Sequence, residues 1–395
     1  MVWIGRTFAH GPIMALGYDS YRPPGATSSH SERAALDVPF ALWDACGEAG
    51  SMGVETMTAF RMVEWGRAPE FVEVPIPELA AGEVLVEVVA VGLCHTDVHL
   101  MHASVGDYGF PVPFTLGHEI AGRVVERESP WGELTEGHAV VVAAGPRCGI
   151  CLACLRGQDN LCAGRTSGRG WGRDGGLARF VAVSRRELVP LDSLDPVLAA
   201  PLSDAGVTAF HAVCQIAPKL RGAATAVVIG VGGLGSLAVQ FLRQLTGARV
   251  VAIDAQSHRL AAARELGADH ALLASDATHG LDELTRGLGV DVVLDFVGTS
   301  DTMDLAIRSV RSGGAVGIVG AAGGTVSIGW GRLPNDCDVF IPMGGTTADL
   351  HDVVALVEAG RITIDIERFA FADVVAAYAG VQAGEIHGRA VVEID

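Results

Sequence analysis

Hydrophobic and polar positions give the two halves of this chain different rhythms. Between Phe60 and about Val91, apolar residues come in short runs cut by turn residues, FVEVPIP and then GEVLVEVVAVG. Alternation over Val84–Val91 predicts a half-buried strand. Ile120–Val125, His138–Ala143 and Leu177–Val183 predict further strands, so this stretch reads as mainly β. Past about Pro201 the rhythm changes. Thr225–Ile229, Arg249–Ile253, Val290–Phe296 and Ala315–Val319 predict apolar strands, and Leu234–Leu245 and Arg259–Leu266 predict helices. Strands spaced by helices imply a parallel sheet with right-handed crossovers. From about Ala348 a last helix–strand portion is free to return to the β-rich part.

Residues 1 to about 56 follow neither rhythm. They mix Pro, Gly, Ser and His without periodicity, and Met52, Met57 and Met62 follow closely. The segment reads as a loosely ordered extension, or as upstream translation from a misplaced start.

Composition narrows the class. The chain has 395 residues, 49% hydrophobic and 19% charged, enough for two domains with large cores. Its 51 glycines show no collagen-like period and suit tight βα turns. A formal net charge of −18 argues against a nucleic-acid partner, which needs clustered Lys and Arg. Ala223 to Leu242 lacks charge and is long enough to span a membrane, but its four glycines fit a buried strand–turn–helix instead. No basic stretch with a following apolar run marks a secretory signal. Four of the eight cysteines crowd into fifteen residues, the habit of metal-holding thiols in a reducing, cytoplasmic compartment.

Three groups of residues carry candidate chemistry. In AVVIGVGGLGSLAVQF, Gly230, Gly232 and Gly235 form G-x-G-x-x-G between a predicted strand and helix. The first glycine permits the tight turn, the second admits a pyrophosphate to the backbone, and the third lets helix pack on strand. The next strand ends in Asp254, roughly 20 residues on, where a carboxylate accepts from a ribose 2′-OH and repels a 2′-phosphate. That favours NAD over NADP, although nearby Arg259 is of a type that accepts a 2′-phosphate. Cys148, Cys151, Cys154 and Cys162 form C-x2-C-x2-C-x7-C. Four thiolates close a tetrahedral zinc shell with no open position, a structural site; an iron–sulfur cluster is the rival. A dispersed set, Cys94, His118, Glu119 and Asp204, offers the three ligands and open position of a catalytic zinc; a single His or Asp is more often a satisfied polar residue, and the set as a whole reads equally either way.

GLCHTDVH, TLGHEIAG, the four-cysteine lobe, SDAGVTAFHA, VIGVGGLG and GRAVV occur in that order over roughly residues 58–395. The chain thereby resembles the zinc-containing medium-chain alcohol dehydrogenases, particularly the bacterial secondary-alcohol type. The resemblance implies an α/β protein with a GroES-like β-rich catalytic domain, from 57–205 and 345–395, around a doubly wound Rossmann NAD-binding domain at 206–344. It implies one catalytic and one structural zinc per chain, the catalytic ion held by Cys94, His118 and Asp204, where many relatives have Cys in place of Asp204. Glu119 matches the family's acidic neighbour behind the metal, Asp97 the carboxylate orienting the ligand His, and Thr96 and His99 the proton relay. Gly230, Gly232, Gly233, Leu234 and Gly235 match the cofactor turn, Arg389 a cofactor-phosphate contact and Arg259 a residue beside the adenosine ribose. Alcohol oxidation by hydride transfer to NAD follows, with a polyol or thiol-adduct dehydrogenase, or a non-catalytic zinc- and NAD-binding protein, as alternatives. Ala144, small where many relatives carry a large pocket residue, leaves room for secondary or bulky alcohols, with Trp171 expected to close another wall. The expected partners are a small alcohol or carbonyl substrate and further copies of the chain, in a homotetramer or else a dimer.

Overall fold

The computed structural model describes residues 55–127, 134–164 and 167–395. The predicted amino-terminal extension lies, up to residue 54, outside the described residues.

Six strands, Leu188–Pro190, Ala139–Val142, Glu119–Arg127, Glu83–Gly92, Arg389–Glu393 and Ile366–Ala370, lie side by side in one sheet, and Phe180–Ser184 also pairs with Glu83–Gly92. Glu83–Gly92 is buried along most of its length rather than half-buried, because it has strand partners on every side. The strand expected from Leu177 begins at Phe180; Leu177 instead bridges, giving its N–H to Leu116 and taking that of Phe60. Through Phe60 a smaller sheet of Glu70–Pro75, Thr56–Met62 and Phe114–Thr115 is tied on.

The second large sheet is wholly parallel. Thr225–Ile229 lies inside it, with Arg249–Asp254 and His270–Leu273 on one side and Val290–Asp295, Val310–Ile318 and Asp338–Phe340 on the other. Thr225–Ile229 is buried on both faces. Ala226 and Val228 enter a cluster with helices Ala205–Ile216, Gly235–Leu245 and Thr347–Glu358, whereas Val227 and Ile229 face helices Ala277–Thr285 and Ser300–Ser309. Strand order reverses beside Thr225–Ile229, which opens a crevice at the carboxyl ends of the strands. The predicted strand and helix within 223–242 both form, the helix as Gly235–Leu245. Among the described residues no single helix is long and apolar enough to cross a membrane.

The first hydrophobic cluster does not stop at this sheet. It continues through Leu202, Val141, Ala121 and Ala90 into the β-rich part, so the two sheets share packed side chains next to the crevice.

Candidate active site

Strand register assembles the site. Gly92 pairs with Glu119 on one neighbouring strand and Val391 on the other, and Leu93 N–H reaches Ala390 O at 2.9 Å. The chain leaving Gly92 towards Cys94, the chain entering at His118 and the start of the Arg389 strand therefore meet. Helix His95–Met101 begins at once, with Cys94 as its N-cap. Asp97, in its first turn, reaches back so that Cys94 N–H donates to Oδ2 at 3.4 Å. Asp204 arrives from a third segment, immediately before helix Ala205–Ile216.

Cys94 Sγ lies 3.5 Å from Asp204 Oδ2, and His118 Nε2 lies 3.6 Å from the same oxygen. Tetrahedral zinc with bonds of about 2.0–2.3 Å sets neighbouring donors roughly 3.3–3.8 Å apart, so the three atoms fit one ion. Glu119 completes a group whose donor atoms all lie within 4.8 Å of one another. His118 Nδ1 is turned to Asp97 Oδ1 at 3.0 Å, which leaves Nε2 to face Cys94 and Asp204. Burial works against charging His118, but Asp97 and the hydrogen bonds to Asp204, Asp97 and Cys94 outweigh it and hold the imidazole well above its usual range. Burial likewise opposes ionising Asp204, yet the bond from His118 keeps its carboxyl below the usual range. A protonated imidazole thus sits against an ionised carboxylate, and a cation could take the place of that proton.

Glu119 gives a second sign of fit. It is fully buried; burial lifts its carboxyl to about 7 even though Arg389 opposes this. Arg389 donates to Oε1 at 2.5 Å, while Oε2 has no hydrogen-bond partner among the described residues. Any side chain at position 92 would collide with that oxygen, so Gly92 leaves the space it occupies.

The four-cysteine lobe is a separate and closed group. Cys148, Cys151, Cys154 and Cys162 bring their sulfurs within 4.8 Å of one another, and Cys148 Sγ to Cys154 Sγ is 3.9 Å. Backbone N–H groups of Ala163 and Cys154 lower the Cys151 thiol to about 6, whereas burial lifts Cys154 to about 12. At the root of the lobe, buried Arg147 donates to Gly345 O at 3.0 Å and Thr347 Oγ1 at 2.7 Å. Asp159 accepts from Thr347 N–H at 3.1 Å. These bonds fasten the lobe to the start of helix Thr347–Glu358.

The glycine turn faces the same space. Gly230 has φ +82°, and a side chain at Gly235 would strike the Gly230 carbonyl, which holds helix and strand in contact. Arg389 crosses directly over Gly233, its Cδ only 2.6 Å from where a β-carbon would stand. Its Nε is buried without a partner. Arg259 stands between Gly384 O at 3.2 Å and Asp254 Oδ2 at 4.0 Å. Asp254 accepts from Val231 N–H at 2.8 Å and Gln256 N–H at 2.9 Å, with further lone pairs free. His95 stands near these two arginines as a neutral N–H donor rather than a further charge. Burial, then the charges of His99, Arg389 and Arg259, push its imidazole down. A glycine turn with Arg389 crossing Gly233 and Arg259 beside Gly232 suits a diphosphate.

Nearly every predicted site residue is drawn to one of these groups. Thr96 Oγ1 lies 3.6 Å from Cys94 Sγ, at the exposed side of the cluster. His99 is exposed one turn further along the helix, and among the described residues no direct hydrogen bond joins the two. Sequence reasoning missed His95, although it stands inside GLCHTDVH. It also missed Tyr378, whose O–H donates to Asp97 Oδ2 at 3.0 Å from 281 residues away. Burial and then Asp97 push that phenol well above its usual range. Nothing local to Tyr378 announces the contact.

A dinucleotide-type crevice beside a cysteine–histidine–aspartate donor set points to a metal-dependent oxidoreductase. Comparison with known proteins sharpens the class. Residues 80–193 match the alcohol dehydrogenase GroES-like domain, and residues 233–359 the zinc-binding dehydrogenase domain. An NAD-dependent alcohol dehydrogenase of Sulfurisphaera tokodaii is 32% identical over 78% of this chain and 90% of that protein. A D-arabinose 1-dehydrogenase (NADP(+)) of Saccharolobus solfataricus is 34% identical over 81% of this chain and 93% of its own length. The crystal structure of the alcohol dehydrogenase of Aeropyrum pernix superposes with a TM-score of 0.79 at 32% identity, covering 85% of this chain and 99% of that one. The chain belongs to the zinc-containing medium-chain alcohol dehydrogenases, enzymes that interconvert alcohols and carbonyl compounds.

Proposed function

We propose that this enzyme oxidises secondary or bulky primary alcohols with NAD, and that Cys94, His118 and Asp204 hold the catalytic zinc. The observation that carries this is Asp204 Oδ2 at 3.5 Å from Cys94 Sγ and 3.6 Å from His118 Nε2, in a group whose donors all lie within 4.8 Å, beside a glycine turn crossed by Arg389. When bound, zinc acidifies an alcohol hydroxyl and polarises a carbonyl, while NAD accepts or returns the hydride. The chain's own groups do the rest. Asp97 holds His118 with Nε2 forward, and Arg389 holds Glu119 behind the cluster, from which the free Oε2 can reach an ion. Thr96 takes the substrate proton and His99 passes it to solvent, with water or a ligand hydroxyl spanning the gap between them. Arg389, Arg259 and His95 receive the pyrophosphate over Gly230, Gly232, Gly233, Leu234 and Gly235. Asp254 accepts from the adenosine ribose and disfavours a 2′-phosphate. The four-cysteine lobe holds a second, structural zinc.

Substrate preference rests on the walls. Ala144 is small, and Trp171 meets Phe110 edge-on at 6.4 Å, with Phe110 in turn against Tyr108 at 5.3 Å. Gly170, next to Trp171, packs on the His118 backbone, so the aromatic wall borders the cluster. A sugar or polyol alcohol is the second reading, favoured by the likeness to the arabinose enzyme.

In this reading the catalytic domain comprises 57–205 and 345–395 and the Rossmann domain 206–344. The seven described cysteines form no disulfide, in keeping with a cytoplasmic enzyme. The expected assembly is a homotetramer or else a dimer, a dihedral tetramer needing at least two kinds of contact. Ile341, directly after the edge strand Asp338–Phe340, is 76% exposed and Trp330 98%, while Ile150 and Leu155 in the four-cysteine lobe are 80% and 70% exposed, and such apolar side chains are candidates for contact between copies.

The deciding experiment is NADH formation from a panel of primary, secondary, aryl-alkyl and sugar alcohols, with and without a zinc chelator. Chelator-sensitive turnover with NAD and little with NADP supports the reading. Equal preference for ethanol and for cyclic or aryl-alkyl alcohols overturns the pocket assignment, and no turnover by the zinc-loaded protein favours a non-catalytic role.

A further inference from the structure

Helix Val374–Ala383 sends one polar atom towards the metal-ligand cluster, the phenol oxygen of Tyr378. We propose that Tyr378 is a positioning residue for the catalytic metal: its hydroxyl anchors the Asp97 carboxylate, and through it both Cys94 and His118.

Asp97 is fully buried and serves both ligands at once. Oδ1 takes His118 Nδ1 at 3.0 Å, while Oδ2 takes the Cys94 N–H at 3.4 Å and the Tyr378 O–H at 3.0 Å. The Cys94 contact is long, so the phenol is the shorter of the two bonds on Oδ2. Without it, that buried carboxylate oxygen keeps one weak donor and the carboxylate can rotate about its bond to Cβ. Rotation would carry His118 Nδ1 with it and turn Nε2 out of line with Cys94 and Asp204.

Packing does not explain the hydroxyl. The Tyr378 ring lies within the apolar cluster of the β-rich part, 6.4 Å from Phe60 and stacked on it at 21°. Phenylalanine fills such a place equally well, as Phe60 and Phe114 do in the same cluster. The hydroxyl is the one feature of this side chain that the core has no use for, and it points at Asp97. The helix also belongs to the segment that returns to the β-rich sheet through Arg389–Glu393, so the end of the chain braces the site twice, by Tyr378 on Asp97 and by Arg389 on Glu119.

This inference rests on the reading of Cys94, His118 and Asp204 as the zinc ligands, and the test keeps the two separate. Zinc-loaded Tyr378→Phe is mixed with excess chromogenic chelator, and zinc release is followed in time beside wild type and Cys94→Ser. The release phase missing from Cys94→Ser identifies the catalytic ion; if no phase is missing, the ligand reading fails, whatever Tyr378 does. In Tyr378→Phe that phase should quicken by roughly 10–100-fold, with the phase from the four-cysteine lobe unchanged. In an Asp97→Asn background the same substitution should add nothing. Unchanged release overturns the proposal, and so does equal quickening of both phases, which would mean general loosening, or a full additive effect on top of Asp97→Asn.

Discussion

The two candidate metal-ligand groups of this chain are built on opposite plans. The four-cysteine lobe draws all its donors from fifteen consecutive residues, all thiols, turned inward on one another. Its surroundings are largely exposed, and it is tied to the rest of the chain by the bonds of Arg147 and Asp159 to the start of helix Thr347–Glu358 and of Asn160 to Met343 O at 2.9 Å. The other group takes sulfur, nitrogen and oxygen from three segments, the farthest 110 residues apart. It leaves one carboxylate oxygen unpartnered and keeps Thr96 at its open side. A set that satisfies itself locally can only hold the chain together. A mixed, incompletely satisfied set at the junction of two sheets has coordination to spare for a substrate.

The sharpest way to break this contrast is to remove one donor from each group. Cys94→Ser or Asp204→Ala should lower kcat/KM by on the order of a thousandfold or more, with NAD binding kept, as read by fluorescence titration. Unchanged turnover in either variant would refute the assignment. Within the catalytic group, Thr96→Ala should cost roughly 10²–10⁴-fold in kcat, because it removes the first proton acceptor. His99→Ala should cost less, on the order of tenfold, since water reaches its exposed position; the reverse ranking would place the relay elsewhere. Cys154→Ser should act on stability instead, by about 2–4 kcal/mol or roughly 5–10 °C in melting temperature, with the kcat of the folded enzyme kept. A large kcat loss at full stability would mean that the lobe takes part in chemistry.

The smallest effect tests the seam beside the lobe. Asp349 sits on helix Thr347–Glu358 with His211 Nδ1 at 2.8 Å. Burial favours its neutral form, but the bonds from His211 and Thr346 outweigh this and hold the carboxyl below its usual range. A carboxyl lowered on folding contributes stability above its unfolded pKa, and that contribution fades as pH falls through the lowered value. Thermal melts from neutral to acid pH should therefore show a flatter acid limb for Asp349→Asn than for wild type. Parallel curves would exclude a role for this pair in acid stability.

Much of this was legible because the relevant chemistry is local. Strand, turn and helix around Gly230–Gly235 are fixed by glycine sterics over a few residues, and four thiols at short spacing can hardly avoid one another. Elements of weaker pattern escaped the sequence reading: helix Ala205–Ile216 is apolar nearly all round, and strands His270–Leu273 and Asp338–Phe340 are short sheet members. Their place is set by tertiary packing rather than by period. Inside the candidate site the same division holds. His95 was in view but silent, because its role depends on Arg389 and Arg259 arriving from elsewhere.

By itself the sequence determined the two rhythms of the chain, the glycine turn, the closed lobe and the residue types at each motif, since these depend on neighbours within one or two turns of backbone. Only the tertiary structure decided that Cys94, His118 and Asp204 share one ion-sized space, that Arg389 spans both Gly233 and Glu119, and that Tyr378 holds Asp97. Those contacts are made between strands in register and helices packed across a shared core. The free energy that selects them is burial, which is a property of the whole assembly and is written at no single position.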